Sequence, residues 1–270
     1  SATHSKVIHK ADIPAFRWPM VPFPANRFPL ERFAEENARA EDASIAHLER
    51  VLASHAGRVA CVLVEPIQSE GGDRHASPAF FQRVAELTRQ AGAALMFDEV
   101  QTGAGISGTL WAHEQLGVEP DLMSFGKKMQ MGGFFCSAAF DVTQFGRMYQ
   151  TRNGDRCRGL LARATLDTIA ADGLLENVRD TGAHFLHRLE ELAERHPKLL
   201  TDPRGRGFLL AFDLPTPAAR NDFLNRAKLR GVFASYTGTR SVRIRPHLIT
   251  RKEHVDVACD TFAAVLQEMG

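Results

Sequence analysis

The stretch that decides the fold is Ala93-Ala94-Leu95-Met96-Phe97-Asp98-Glu99-Val100-Gln101-Thr102-Gly103. Its first five residues are apolar without alternation, which is typical of a strand buried on both faces of a parallel sheet. A second, shorter run at residues 121–125 stops just before Lys127, and a third at residues 59–64 ends at Glu65. The chain therefore contains three candidate strands, each followed closely by an ionisable residue.

Helices are predicted before and between these strands. The Ser-Pro pair that opens residues 77–90 suits the cap and first turn of a helix, and residues 41–55 carry apolar side chains at helical spacing. Strand, helix and strand in this order predict an α/β sheet with right-handed crossovers. Because open parallel sheets bind ligands at the carboxyl ends of their strands, we expect Glu65, Asp98 and Lys127 to meet there.

The pattern changes after Thr151. Residues 158–196 predict two amphipathic helices with a break near Asp172-Gly173, and strands and helices alternate beyond them. The predicted elements are strands at 207–214 and 241–245, a helix near 217–230 and a last helix at 251–268. We therefore predict the C-terminal part of a large domain over residues 1–157 and a smaller α+β domain over residues 158–270.

The composition of the chain argues against several classes of function. The 270 residues include 33 Lys and Arg against 32 Asp and Glu, a balance that predicts binding neither to nucleic acid nor to an anionic membrane. No apolar run approaches the roughly 20 residues of a membrane span. The four cysteines are far apart with no CxxC pair, so reduced thiols, a cytoplasmic location and no metal site are expected.

Asp98 and Lys127 together suit a site for pyridoxal phosphate. An acid keeps the pyridine nitrogen of this cofactor protonated, and a lysine holds its aldehyde as a Schiff base. Taken alone, Asp98 could instead cap a helix. Lys127 and Lys128 could instead form a solvated basic pair at the surface. Their shared position at strand ends favours the cofactor, and partial burial beside a cation would lower the pKa of a reactive lysine.

Residues 103–108 also fit the G-x-G-x-x-G pattern of dinucleotide-binding proteins. The fit is poor, because the loop is too long for one tight turn and the acids Glu119 and Asp121 precede a strand instead of ending one. We interpret residues 103–108 as a flexible glycine loop beside the cofactor. His113-Glu114 lacks the second histidine of a zinc-protease helix and is expected at the surface or an interface.

Two further segments allow two interpretations each. Thr151 and the residues after it could bind a phosphate, or Asp155 could simply cap the next helix. Arg243 and Arg245 alternate along a strand, so both face one side. They could clamp a substrate carboxylate, or form structural salt bridges with acids such as Asp202 or Glu70.

These stretches resemble the class III (ω-amino) aminotransferases of pyridoxal phosphate fold type I, first the 4-aminobutyrate aminotransferases and then the L-lysine 6-aminotransferases. The matching segments are residues 4–10, 16–19, 64–73, 98–108, 111–114, 125–129, 204–207 and 242–246. The resemblance implies a mostly parallel sheet with helices on both faces, as part of a large domain, and a C-terminal α+β domain.

The resemblance also implies roles around the cofactor. Lys127 corresponds to the Schiff-base lysine that shuttles the proton, and Asp98 to the partner of the ring nitrogen. Val100 would pack on the ring and Gln101 would bind its hydroxyl. Thr151 would reach the phosphate across a homodimer interface, so that active sites are shared.

For the substrates, Arg243 resembles the arginine that binds the carboxylate of 2-oxoglutarate. Glu70 resembles the glutamate that pairs with it when the amino donor is bound, in a ping-pong cycle, and Glu65 would lie near the base. The family's phosphate-binding glycine-serine loop and ring-stacking aromatic residue belong upstream of this chain, and Arg152-Asn153 departs from the family pattern. A truncated, catalytically silent subunit is therefore a third hypothesis, beside transfer from 4-aminobutyrate and from lysine.

Overall fold

A computed structural model describes residues 11–13, 16–151 and 153–270. The matching segment at residues 4–10 and residue Arg152 lie outside the described residues. The described chain contains two four-stranded sheets. We call them the N-terminal sheet and the C-terminal sheet.

The N-terminal sheet has the predicted parallel strands and one more. Its strands, in spatial order, are β1 (Cys61–Val64), β2 (Ala94–Asp98), β3 (Leu122–Phe125) and β4 (Gly133–Cys136). β1, β2 and β3 are parallel, with Val64 opposite Phe97 and Asp98 opposite Ser124, and β4 is antiparallel to β3. This register brings the carboxyl ends of the three parallel strands to one edge, as predicted.

Two helices cover this sheet with an apolar face. α1 (Ala34–Ser54) and α2 (Pro78–Gln90) contribute Ile45, Leu48, Phe80 and Phe81 to a core shared with Leu95 and Phe97. The Oγ of Ser77 caps α2 by accepting from the Phe80 N–H at 3.1 Å, as its Ser-Pro start predicts. α1 begins earlier than predicted, because the buried Glu41 on its inner face interrupts the apolar spacing.

The C-terminal part begins with α3 (Arg156–Ala171) and α4 (Leu174–Arg195), separated at the predicted break. The C-terminal sheet has the antiparallel order β5-β6-β8-β7. Its elements are β5 (Thr201–Arg206), β6 (Leu209–Asp213), α5 (Pro217–Leu229), β7 (Ser235–Thr237), β8 (Ser241–Ile244) and α6 (Lys252–Met269). The predicted domain boundary at residue 157 falls within the first turn of α3 and stays a prediction.

The C-terminal core is aromatic. Phe212 on β6, Phe223 on α5 and Phe262 on α6 are buried and contact one another, with ring centroids 5.3–6.1 Å apart. Such contacts add to the apolar area that the rings bury. This core holds β8, and with it Arg243 and Arg245, in a fixed orientation.

The sequence predicts neither a membrane span nor a metal site, and it predicts reduced thiols instead of disulfides. No described helix has the length and apolar character needed to span a membrane. Within residues 11–13, 16–151 and 153–270, no cluster of three metal-ligating side chains occurs. All four cysteines are unpaired thiols.

Phe262→Ala is expected to lower the free energy of unfolding by about 3–5 kcal/mol, because it removes a buried ring from the C-terminal core. The change is measured by urea unfolding followed by circular dichroism. Val257→Ala on the same helix is the control: Val257 is 64% exposed, so we expect a change within about 0.5 kcal/mol. Equal losses in the two variants would contradict this description of the core.

Candidate active site

Ionisable residues from both sheets converge on Lys127. The positive charge of Arg243 on β8 acts to lower the pKa of Lys127, and the carboxylates of Glu70, Asp98 and Glu65 act to raise it. Partial burial is the largest cause, and the net result is a lowered pKa for the amine. The structure thus brings together the predicted lysine and four of its predicted partners.

Backbone geometry holds Lys127 at this place. It begins a short 3₁₀ turn after β3 and adopts a left-handed φ of 48°. Gly126 lets the chain pass close to the ring-facing candidate Val100, since a Cβ on Gly126 would lie 3.4 Å from a Val100 methyl group. A larger residue at position 126 would therefore press on Val100.

Asp98 is fixed as a hydrogen-bond acceptor at the end of β2. Its Oδ1 accepts from the Val100 N–H and from the Ser124 hydroxyl, each at 3.1 Å. These bonds use one oxygen and orient the carboxylate at the strand ends. The loop after Asp98 is held in turn by Lys128, whose Nζ donates to the Gln101 carbonyl at 2.7 Å.

Glu65 is a buried carboxyl of the site with a strongly raised pKa. Burial raises its pKa to about 8, against the lowering effect of the Ser69 N–H that donates to its Oε2 at 3.1 Å. The charges of Asp98, Glu70 and Asp73 raise the pKa further. Glu65 is therefore protonated at neutral pH and can give or accept a proton near that pH.

The loop of residues 68–74, which we call the acidic loop, faces Arg243 on β8 and Arg245, which directly follows that strand. Arg243 donates to Glu70, and Arg245 donates to Asp73. Gln101 also approaches Glu70, with its Nε2 3.5 Å from Glu70 Oε1. The salt-bridge interpretation of the arginines is thus confirmed for Glu70, whereas the acid beside Arg245 is Asp73 and Asp202 pairs with Arg204.

The comparisons with known proteins agree with this geometry. The profile of the family described as Aminotransferase class-III matches residues 1–266. The chain belongs to the class III aminotransferase family. The 4-aminobutyrate aminotransferases of Sus scrofa and Emericella nidulans are similar to it, with 39% and 40% identity over 99% and 100% of the chain.

Solved structures show the same fold. A lysine aminotransferase from M. tuberculosis in the internal aldimine form is 36% identical, with a TM-score of 0.92 over 98% of this chain. The chain covers 62% of that structure, 55% of the Sus scrofa relative and 54% of the Emericella nidulans relative. It therefore spans a little over half of the length of the relatives that it matches.

One predicted cofactor residue of this class III chain does not join the others. Thr151 is exposed in a turn before α3 and makes no hydrogen bond to the other site residues in the part of the chain that is described. Asp155 caps α3 by accepting from the Arg158 N–H at 3.1 Å, as one interpretation predicted. The phosphate role of Thr151 stays a prediction.

Two neighbouring segments are more buried than expected. The glycine loop, which was expected to be flexible, is packed: residues 102–108 are all buried, and the Phe208 N–H of the C-terminal part donates to Ile106 O at 2.8 Å. Of the two places expected for His113, the surface is wrong, since His113 is buried with its Nδ1 3.1 Å from Glu99 Oε1, and the interface stays a prediction. Both segments bury polar groups that are satisfied by distant partners, which a local pattern does not reveal.

Sequence reasoning also missed three residues of the site. Lys128 supports the Gln101 loop, Asp73 pairs with Arg245, and Arg204 holds the acidic loop. The spacing of Glu70 and Asp73 opposite two alternating arginines was the available signal for Asp73. Arg204 belongs to the matching segment 204–207, but no role could be assigned to it there, because its partners lie far away in the sequence and its strand has little apolar character.

The raised pKa of Glu65 predicts a pH dependence of stability. Between its ordinary value of 4.5 and about 8, the folded chain keeps a proton on Glu65 that the unfolded chain releases. The free energy of unfolding of the parent therefore falls as pH rises through this window. Glu65→Gln removes this effect, so the variant should gain on the order of 3–5 kcal/mol relative to the parent between the two ends of the window.

Urea unfolding at several pH values measures this difference. Glu86→Gln, on the exposed face of α2, is the matched control and should follow the parent at every pH. Parallel curves for Glu65→Gln and the parent would show that Glu65 titrates normally.

Proposed function

We propose that this chain forms part of a pyridoxal phosphate-dependent ω-aminotransferase that moves the amino group of 4-aminobutyrate, or a similar ω-amine, to 2-oxoglutarate. The observation that carries the proposal is the Glu70–Arg243 pair facing Lys127. Such a pair gives one pocket two charge states, one for a substrate with an extra carboxylate and one for a substrate without it.

The residues present fit the cofactor. Asp98 is a fixed acceptor at the strand ends, Lys127 is an accessible amine with a lowered pKa, and Val100 lies beside the lysine loop. The Gln101 Nε2 lies 3.5 Å from Glu70 Oε1, so the Gln101 amide is available as a hydrogen-bond donor beside Glu70. When bound, pyridoxal phosphate supplies an electron sink that makes the proton on the substrate carbon removable.

The chain's own residues would move and hold the protons. The lowered pKa of Lys127 raises the fraction of neutral amine, which is the form that accepts a proton at Nζ. Besides Lys127, Glu65 can also hold and release a proton, because its pKa of about 8 lies near neutral pH. Asp98 holds its charge in place through the hydrogen bonds from Val100 and Ser124.

Arg243 and Glu70 would sort the two substrates. With Glu70 in place, the guanidinium is neutralised, and an ω-amine without a carboxylate at that end is accepted. When Glu70 moves away, Arg243 can bind a carboxylate of 2-oxoglutarate or glutamate. Both side chains are partly exposed, 19% for Arg243 and 16% for Glu70, so a ligand can reach them.

Lysine is the second candidate donor. The structural match to a lysine aminotransferase, with a TM-score of 0.92, favours it, while the sequence relatives favour 4-aminobutyrate. The two donors would use the same residues, so comparing them as substrates decides between the two activities.

The partners and the location belong to the same proposal. Residues 132–151 are exposed throughout and include several large apolar side chains, among them Phe135, Phe145 and Tyr149. A cytoplasmic homodimer with shared active sites would cover such a surface and could bring Thr151 to the phosphate of the second site. The silent-subunit hypothesis predicts that the chain transfers no amino group in any such assembly.

Lys127→Ala should abolish covalent attachment of pyridoxal phosphate. In the parent, borohydride reduction followed by mass spectrometry should locate the cofactor at Lys127, because its amine has a lowered pKa beside the fixed acid Asp98. Lys198→Ala, an exposed lysine near the end of α4, is the control and should leave the attachment unchanged. Attachment at other lysines only would refute the proposed cofactor site.

Glu70→Gln should raise the KM for the ω-amine roughly 10- to 100-fold, since the charge of Arg243 loses an ionic hydrogen bond worth about 1.5–3 kcal/mol. The KM for 2-oxoglutarate should stay the same or fall, because Arg243 no longer has Glu70 as a competing partner. Steady-state kinetics with each substrate varied in turn measure the split. A change of the two KM values by the same factor would mean that Glu70 does not sort substrates.

A further inference from the structure

We propose that Asp73 is a positioning residue for substrate selection: by pairing with Arg245 it reserves Glu70 for Arg243. This inference rests on the function proposed above. It concerns a carboxylate that is not expected to contact the substrate and that acts through its neighbours.

The acidic loop is a closed unit with Asp73 at its base. Gln68 and Arg74 exchange backbone hydrogen bonds of 3.0 and 3.1 Å, and the Asp73 N–H donates to Ser69 O at 3.2 Å. Asp73 itself is completely buried and adopts a left-handed φ of 51°. Aspartate adopts this conformation more readily than most non-glycine residues, and here hydrogen bonds from other segments hold it.

Side chains of the C-terminal sheet hold the loop in this conformation by donating hydrogen bonds to its backbone carbonyls. Thr237 donates its hydroxyl to Ser69 O at 2.5 Å. Arg204 donates to the carbonyls of Gly72 and Asp73 at 2.7 and 3.1 Å. The backbone of the loop is therefore held even if one acid changes its partner.

The two acid–arginine pairs differ in accessibility. Arg243 on β8 and Arg245, the residue directly after β8, lie two residues apart and face the same side, so each meets one acid of the loop. The side chains of Glu70 and Arg243 are both partly exposed, whereas Asp73 is fully buried. Arg245 also donates to Leu210 O and Ile244 O at 3.2 and 2.8 Å, which holds it in place. The Asp73 pair is thus the fixed one and the Glu70 pair the one a ligand can open.

If the charge of Asp73 were removed, Arg243 and Arg245 would compete for the carboxylate of Glu70. Burial and the charge of Arg243 act to lower the pKa of Arg245, and the carboxylates of Asp73 and Glu70 oppose them. Without Asp73, Glu70 is the remaining carboxylate among these causes, and a mostly buried guanidinium without a counter-charge is costly. Glu70 would then be drawn towards Arg245 and would leave Arg243 open to carboxylates.

The test is Asp73→Asn in the full chain loaded with pyridoxal phosphate. We expect the KM for the ω-amine to rise about 10-fold, the KM for 2-oxoglutarate to stay the same or fall, and kcat to change little. In the cofactor-free chain, calorimetry with glutarate as a dicarboxylate probe should show binding several-fold tighter than in the parent. The glutarate measurement does not depend on turnover, so it decides the inference even if the parent transfers no amino group.

The double variant Asp73→Asn/Arg245→Gln separates this role from simple support of the loop. It removes the competing cation, so the KM values and the glutarate affinity should return to those of the parent. It also carries the test if the single variant does not fold. Asp256→Asn, which removes an ion pair with Arg188 between α4 and α6, is the control for general destabilisation and should change neither KM.

Three outcomes would overturn the inference. One is an Asp73→Asn variant whose two KM values and glutarate affinity match those of the parent. Another is a fall in kcat with both KM values changed by one factor. The third is a raised KM for the ω-amine that persists in the double variant.

Discussion

The contact between the acidic loop and β8 is the interaction on which the rest of the site depends. A strand places alternate residues on one face, so Arg243 and Arg245 both point from the C-terminal sheet towards residues 68–74. Glu70 and Asp73 meet them there. Because the loop directly follows β1, this contact places an arginine of one sheet beside the strand ends of the other.

Charge balance follows from that contact. The site gathers carboxylates and cations in a partly buried space, where each shifts the proton affinity of the others. Burial raises the pKa of Glu65 to about 8, and burial together with Arg243 lowers the pKa of Lys127. An acid and an amine whose pKa values move towards neutrality are suited to proton transfer at neutral pH.

Much of the N-terminal sheet could be predicted, because short local sequence patterns mark its strands and the start of α2. The parallel strands lie in mostly apolar runs, although β1 is only partly buried, and the start of α2 has a Ser-Pro cap. The strand ends then placed Asp98 and Lys127 together without any knowledge of long-range contacts. The break between α3 and α4 was likewise marked by Asp172-Gly173.

What the sequence did not predict depends on distant partners. β4 is an exposed strand with no alternating pattern, and β5 contains Pro203 and two arginines in place of an apolar run. His113 carries no sign of burial, since its partner Glu99 lies in another segment. Asp73 and Arg204 have their roles only because the two sheets meet.

The central claim is that these groups form one site for amino-group transfer. The most direct measurement is to incubate the chain with pyridoxal phosphate, ¹⁵N-labelled 4-aminobutyrate and 2-oxoglutarate, and to follow ¹⁵N-glutamate by mass spectrometry. The account predicts labelled glutamate from the parent and none from an Arg243→Gln variant that still attaches the cofactor. Cofactor attached at Lys127 with no labelled glutamate from the parent, whether 4-aminobutyrate or lysine is the donor, would contradict it.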